Sequence, residues 1–187
     1  MPVIKKLSLN SVRFGAGGRD TLPAATVEIS QISLRHISDA ALVAAIIQYA
    51  SVPNSFLQIT SCPLGSINFI VSAWDLHLEA IDARENMETF LSLWTGDTLS
   101  VTDSLCFDDR ALLAIGQNLD LELRISNCRN ISVDGLKKMV KKLKGDHADD
   151  FPEHRTVFEN LHLSRQGFML SPEEKDWFYD NGIGTVM

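Results

Sequence analysis

Four side chains carry the densest chemistry in this sequence: His77, Glu79, Asp103 and Arg124. An imidazole beside a carboxylate is the raw material of a general acid–base pair, so a hydrolase built on His77 is the enzymatic alternative. Its completion needs a nucleophile or metal beside an activating base. The motifs that announce one (G-x-S-x-G, H-E-x-x-H, paired cysteines) do not occur in the sequence, and the chain reads as a non-enzyme. A second group, His147, Asp149, Asp150 and His154, lies within Lys144–Arg155 (KGDHADDFPEHR). These are metal-ligand types, but nothing fixes them on one helix face, so the segment reads as a solvated linker without a metal. Phe14–Arg19 (FGAGGR) is glycine-rich without the Gly-Lys-Ser/Thr of a phosphate loop. It reads as a short loop, and Pro23 argues against a helix start in Thr21–Ala25. No cofactor is expected. Cys62, Cys106 and Cys128 are odd in number and far apart. They read as buried thiols of a reducing compartment, not as a disulfide framework or a zinc site.

The four reactive side chains must be held by some scaffold, and the sequence supplies one by repetition. The pattern L-x-L-x-x-(C/I/S) recurs at Leu7–Val12, Val27–Ile32, Leu57–Cys62, Leu76–Ile81, Leu99–Ser104 and Leu123–Cys128, with a divergent copy at Leu161–Gln166. A short strand with a helical return, repeated every ~20–29 residues, is the mark of a solenoid. Apolar residues alternate within each copy, as a half-buried strand requires. Cys62 and Cys128 then turn inward after the strand. Ile131, Leu136, Val140 and Leu143 continue the last strong unit as the buried face of a helix capped by Ser132, with Lys137, Lys138, Lys141, Lys142 and Lys144 outside. Phe107 and Ile37 hold the place of Ile131 in earlier units. The Ile37 copy lies five residues after Ile32, so Ile32-Ser33-Leu34 is an alternative strand register there.

Further helices are expected over about Leu64–Ser72 and Asn86–Trp94, with Trp74 and Trp94 packed between layers. Ser171, Pro172 and Glu174 form a helix start with a capping box. Trp177 and Phe178 then cover the exposed end of the stack, with Ile183–Met187 along the last unit.

In such an α/β solenoid, parallel strands line a concave face and helices the convex one. The outward strand positions form columns, one side chain per unit. One column reads Ser8, Glu28, Gln58, His77, Ser100, Arg124 and His162; the next reads Asn10, Ser30, Thr60, Glu79, Thr102, Ser126 and Ser164; the third reads Ser11, Gln31, Ser61, Ala80, Asp103, Asn127 and Arg165. The binding candidates are Gln58, Thr60, His77, Glu79, Thr102, Asp103, Arg124, Ser126 and Asn127, with Arg124 the anchor. An open face of this kind excludes water poorly, which disfavours catalysis by His77. Aromatic hot-spot residues are scarce on it.

The chain has 187 residues, enough for one domain spanning 1–187. Lys+Arg 17 against Asp+Glu 24 gives a net charge of −7, which disfavours a nucleic-acid partner. No apolar run reaches the length of a membrane span; the longest, Ala40–Ala50, is short, so no membrane partner is expected. The start MPVIKKLSLN runs directly into a strand pattern without a secretory segment, and a cytoplasmic or nuclear location is expected. The sequon Asn130-Ile131-Ser132 is then a chance match.

The unit LRISNCRNISVDGL (Leu123–Leu136) resembles the L-x-L-x-x-C-x-x-I-(T/S)-D-x-(G/A)-L unit of the cysteine-containing leucine-rich repeats in F-box/leucine-rich-repeat proteins. Ile37–Leu42 (ISDAAL) repeats its second half, and Trp177–Val186 is similar to the close of many fungal proteins of this kind. Val133 departs from the pattern's aspartate and Ser104 from its cysteine. The resemblance implies a leucine-rich-repeat horseshoe acting as a protein-interaction module. It further implies the substrate-recognition part of a cullin ubiquitin-ligase receptor. Such receptors engage a Skp1-type adaptor through an F-box near the N-terminus; this chain begins at the repeats, so the adaptor is a partner only if an F-box segment is missing from it. The protein partner is otherwise unspecified, and a structural scaffold without a dedicated ligand is the non-enzymatic alternative.

Overall fold

The computed structural model describes residues 3–4, 6–12, 28–50, 56–115, 122–145 and 158–186. The readings of Phe14–Arg19 and Thr21–Ala25, and the group His147, Asp149, Asp150 and His154, lie outside the described residues. A two-residue ladder pairs β1 (Val3–Ile4) with β3 (Glu28–Ile29). The main sheet is all parallel and open. It contains, among the described residues, β2 (Leu7–Asn10), β4 (Gln31–Arg35), β5 (Phe56–Thr60), β7 (Asp75–Glu79), β9 (Thr98–Thr102), β10 (Glu122–Ser126), β11 (Phe158–Ser164) and β12 (Ile183–Val186). A small second ladder joins β6 (Val71–Ser72) to β8 (Trp94–Thr95).

Strand order follows chain order from one edge to the other. Each new strand therefore adds to the same edge, and crossovers of one hand then carry the described helices along the same side of the sheet. The strands show the consequence. Leu57, Ile59, Leu76, Leu78, Leu99, Val101, Leu123 and Ile125 are buried and the residues between them are not, although Thr60 of β5 and Ser33 of the adjacent β4 are also buried. Parallel strands covered on both faces read as continuous apolar runs; this alternation belongs to a sheet with one face left open.

The covered face packs against α1 (Ala40–Ala50), α2 (Met87–Ser92), α3 (Asp109–Ala114), α4 (Val133–Gly145) and α5 (Pro172–Asp180). Helix α3 lies between α2 and α4. Helix α4 buries Leu136, Met139, Val140 and Leu143 at helical spacing, as its periodicity predicts. Fully burying such a side chain contributes about 1.5–3 kcal/mol, so the repeated row is the main source of stability. Helix α5 has the predicted capping box between Ser171 and Glu174. Trp177 meets Phe178 edge-on at 5.2 Å and lies beneath the Lys137 and Lys141 ammonium groups of α4. The chain then adds β12 to the sheet beside β11.

Each main-sheet strand from β2 to β11 ends the same way. Ser11, His36, Ser61, Ala80, Asp103, Asn127 and Arg165 have φ between 50° and 54°, the left-handed region, though none is glycine. That conformation costs roughly 1–2 kcal/mol per residue. It is offset because the N–H of the first six donates to a carbonyl of the next strand, as in Asp103 to Ser126 at 3.0 Å and Asn127 to Ser164 at 3.0 Å. The turn drives the following residue under the sheet, where Ile37, Cys62, Ile81, Ser104 and Cys128 are buried. The polar members satisfy the buried backbone. Cys62 Sγ accepts from the Ile37 amide and donates to the Thr60 carbonyl. Ser104 Oγ does the same for Ile81 and Thr102, at 3.1 and 3.0 Å.

Three expectations are corrected. The second working strand is β4, not 27–32: Ile32 pairs with Leu7 and Leu57, and Ile32-Ser-Leu-Arg-His-Ile37 is the true copy of the pattern. Leu7, Ile32 and Leu57 thereby stand 25 residues apart, and the apparent 20/30 irregularity disappears. Residues 64–72 form no helix. The 19 residues from Leu57 to Leu76 leave room only for a turn at Leu64–Ile67 and the short β6. Finally, Trp74 is 52% exposed. Trp94 is the tryptophan buried between layers, its indole N–H donating to the Ala73 carbonyl at 2.9 Å. Gly96 permits that approach, since a Cβ there would lie 1.9 Å from the same oxygen.

Candidate interaction surface

The uncovered face is built from the residues that alternate with the buried ones. Strand register aligns Ser8, Ser33, Gln58, His77, Ser100, Arg124 and His162 in one row across seven strands. Ser33 takes the place expected for Glu28. A second row runs Asn10, Arg35, Thr60, Glu79, Thr102, Ser126 and Ser164, with Arg35 in place of Ser30. The left-handed residues follow as a rim, with His36 in place of Gln31. These three changes all follow from the shifted register of β4.

The structure does not gather His77, Glu79, Asp103 and Arg124 into one constellation. Glu79 accepts from Thr60 Oγ1 at 3.1 Å. Asp103, on the rim, accepts from the Asn127 side-chain amide. His77 stacks obliquely on Phe56, with ring centroids 4.7 Å apart. Partial burial holds the His77 pKa below its ordinary value; Arg124 acts in the same sense and Asp75 opposes both. Arg124 turns to Glu122, two residues earlier on its own strand, with Nε and Nη2 at 3.0 and 2.7 Å from one carboxylate oxygen. His162 Nε2 of the adjacent strand lies 3.2 Å from the same oxygen. Glu122 is thus the hub of the face's charge.

Elsewhere Arg35 donates to Gln58 Oε1 at 3.1 Å, and Ser33 donates to the same atom. Thr102 and Ser126 follow Glu79 in the second row as short hydroxyls. A shallow cleft lined by Ser100, Arg124, Ser126, His162 and Ser164 opens beside the Glu122 hub.

Glu122, Asp75, Phe56 and Gln31 form a further outward row with Thr98 that the repeat pattern did not single out. The signal was available: the residue immediately before the first apolar position also points outward when the period is two. The structural assignments of Cys62, Cys128, Ile131 and Leu136 to the interior hold, since all four are buried. Burial pushes the Cys62 and Cys128 thiols up, and raises Cys106 to about 11. Among the described residues no group of three or more His, Cys, Asp or Glu side chains is placed to hold a metal ion, and no helix is long and apolar enough to cross a membrane. Comparison with protein-family models, with curated proteins and with solved structures gives no match.

Proposed function

We propose that this chain is a leucine-rich-repeat protein whose open sheet face binds a protein partner. One observation carries the reading: among the described residues an all-parallel sheet is covered on one side only, and its other side presents polar side chains in register across seven strands. Parallel sheets are ordinarily covered on both faces. A bare, laterally continuous face with hydrogen-bonding groups at strand spacing offers an extended surface that a folded partner or peptide can span. Within it Arg124, held by Glu122 beside His162 and half exposed, is the anchor. The similarity of Leu123–Leu136 to the F-box/leucine-rich-repeat unit supports the narrower form of the proposal, the recognition half of a ubiquitin-ligase receptor. Fold alone does not carry that role.

The test is affinity capture with wild type, Arg124→Glu on the open face and Lys138→Glu on the exposed side of α4, each checked for an unchanged thermal melt. A specific partner retained by wild type and Lys138→Glu and lost with Arg124→Glu supports the open-face reading. Co-capture of a Skp1-type adaptor supports its ligase form. Identical retention by both variants, or none by folded wild type, removes it.

A further inference from the structure

The sheet is incomplete at its last edge. By register Leu9, Leu34, Ile59, Leu78, Val101, Ile125 and Leu163 form one inward row. The members from Leu34 to Ile125 are buried, whereas Leu9 and Leu163, at the two ends, are only partly so. Among the described residues β12 pairs with β11 only as far as Val186, opposite Leu161. Past that point lies a cavity of about 420 Å³. Leu163, Phe168, Leu170 and Val186 give it apolar walls, and Arg165 on the rim and Lys175 of α5 give it charge. No carboxylate lines it, although the chain carries a net charge of −7. Among the described residues neither cationic side chain has a hydrogen-bond or ion-pair partner.

The rim supplies an independent sign. Each of the six earlier rim amides donates to the carbonyl of the residue that closes the following strand, from Ser11 to Arg35 at 2.9 Å through Asn127 to Ser164 at 3.0 Å. Among the described residues the Arg165 amide donates to no carbonyl, because no strand reaches that height beside it. The repeat itself therefore specifies what belongs there: an oxygen acceptor at the end of an extended chain, with an apolar side chain beneath it.

We propose that this cavity receives the C-terminal residue of a partner protein, with its apolar side chain inside and its carboxylate at the rim. The carboxylate takes the place of the closing carbonyl, accepting from the Arg165 amide and pairing with the Arg165 guanidinium and the Lys175 ammonium. The side chain continues the inward row beyond Leu163 and removes that edge from water. A residue inside a partner's chain has the carbonyl without the charge; a chain terminus has both. The site lies at the end of the stack, apart from the open face, and goes beyond the reading given above for that face.

The experiment is a titration of the full chain, labelled with ¹³C at its methionine methyls, with the peptide acetyl-Ser-Thr-Val-Leu bearing a free carboxylate. Met169 lines the cavity and is 93% exposed, whereas Met87 and Met139 are buried in α2 and α4. The peptide shifts the Met169 methyl saturably and leaves those of Met87 and Met139 in place. Its C-terminal amide, and the free acid ending in glycine instead of leucine, bind at least about tenfold more weakly. Arg165→Gln/Lys175→Gln weakens the free acid by a similar factor with an unchanged thermal melt, since both side chains are exposed. Equal binding of the amide, equal binding to the double variant, no Met169 shift, or tighter binding of decanoate than of the peptide overturns the inference. Arg124→Glu on the open face leaves the response unchanged, so this inference and the open-face reading fail separately.

Discussion

A Cβ placed on Gly135 would lie 2.0 Å from Oδ1 of Asp109 in the preceding unit. That carboxylate cannot simply move aside, because it accepts from the Ser132 amide at 2.8 Å and from Ser132 Oγ at 2.6 Å. Ser132 Oγ in turn accepts from the Gly135 amide, capping α4. One acidic side chain thus couples the starts of two successive helices.

Gly135→Ala is accordingly expected to destabilise the fold by about 1–2 kcal/mol, although alanine is the better helix former by about 1 kcal/mol. Chemical denaturation measures it. In a double-mutant cycle with Asp109→Ala the two losses should be less than additive, since removing the carboxylate clears the space. Full additivity would disprove the proposed coupling.

Ser104→Ala should cost about 1–3 kcal/mol, because it strands the buried Ile81 amide that Ser104 Oγ now accepts. Ser104→Cys should lose less, since Cys62 serves the Ile37 amide in the equivalent position. Equal denaturation midpoints for the two variants would show that the hydrogen bond is not what the position requires.

The cysteines should be inert in the folded chain. With Cys106 at about 11 and the Cys62 and Cys128 thiols pushed up by burial, the reactive thiolate is scarce near neutral pH. Iodoacetamide labelling near pH 8, followed by intact mass, should be on the order of 100-fold slower for the folded than for the denatured protein. Rapid labelling of native Cys106 would contradict the burial on which this rests.

His77 predicts a pH dependence with a definite sign. Its folded pKa lies below the ordinary 6.5, chiefly through burial, so the unfolded chain takes up the proton first. Its contribution to stability is complete above 6.5 and is lost as pH falls from there through the folded value. His77→Gln should flatten that part of the profile relative to wild type, measured as denaturation midpoints from pH ~7.5 down to ~5. An unaltered slope would place the titration elsewhere.

Much of the scaffold was legible because burial imposes a period. Leu99, Val101, Leu123 and Ile125 alternate as one-sided strands must, and Leu136, Val140 and Leu143 recur as a helix face must. The stretch from Val27 to Ile37 misled because two overlapping alternations occupy it. Pairing of Ile32 with Leu7 and Leu57 selects one, and pairing is a property of neighbours. Trp74 was expected inside because a large aromatic beside a strand usually is. Trp94, 20 residues later, fills the space under Ala73 instead.

The site was legible in part. Arg124 and His162 were placed on the open row, and the register confirms their alignment. That both turn to Glu122, that Glu79 turns to Thr60 and that His77 rests on Phe56 depend on side-chain directions across strands, which no spacing encodes.

The sequence by itself therefore determined that this chain repeats a strand and an inward-turning residue, followed in several units by a helix, because each unit must bury the same apolar positions. Only the tertiary structure decided which of two registers β4 adopts, which tryptophan is left in solvent and which charges meet. Those outcomes arise from packing between units distant in sequence, where a neighbour's shape and hydrogen-bonding groups choose among alternatives that local pattern leaves equal.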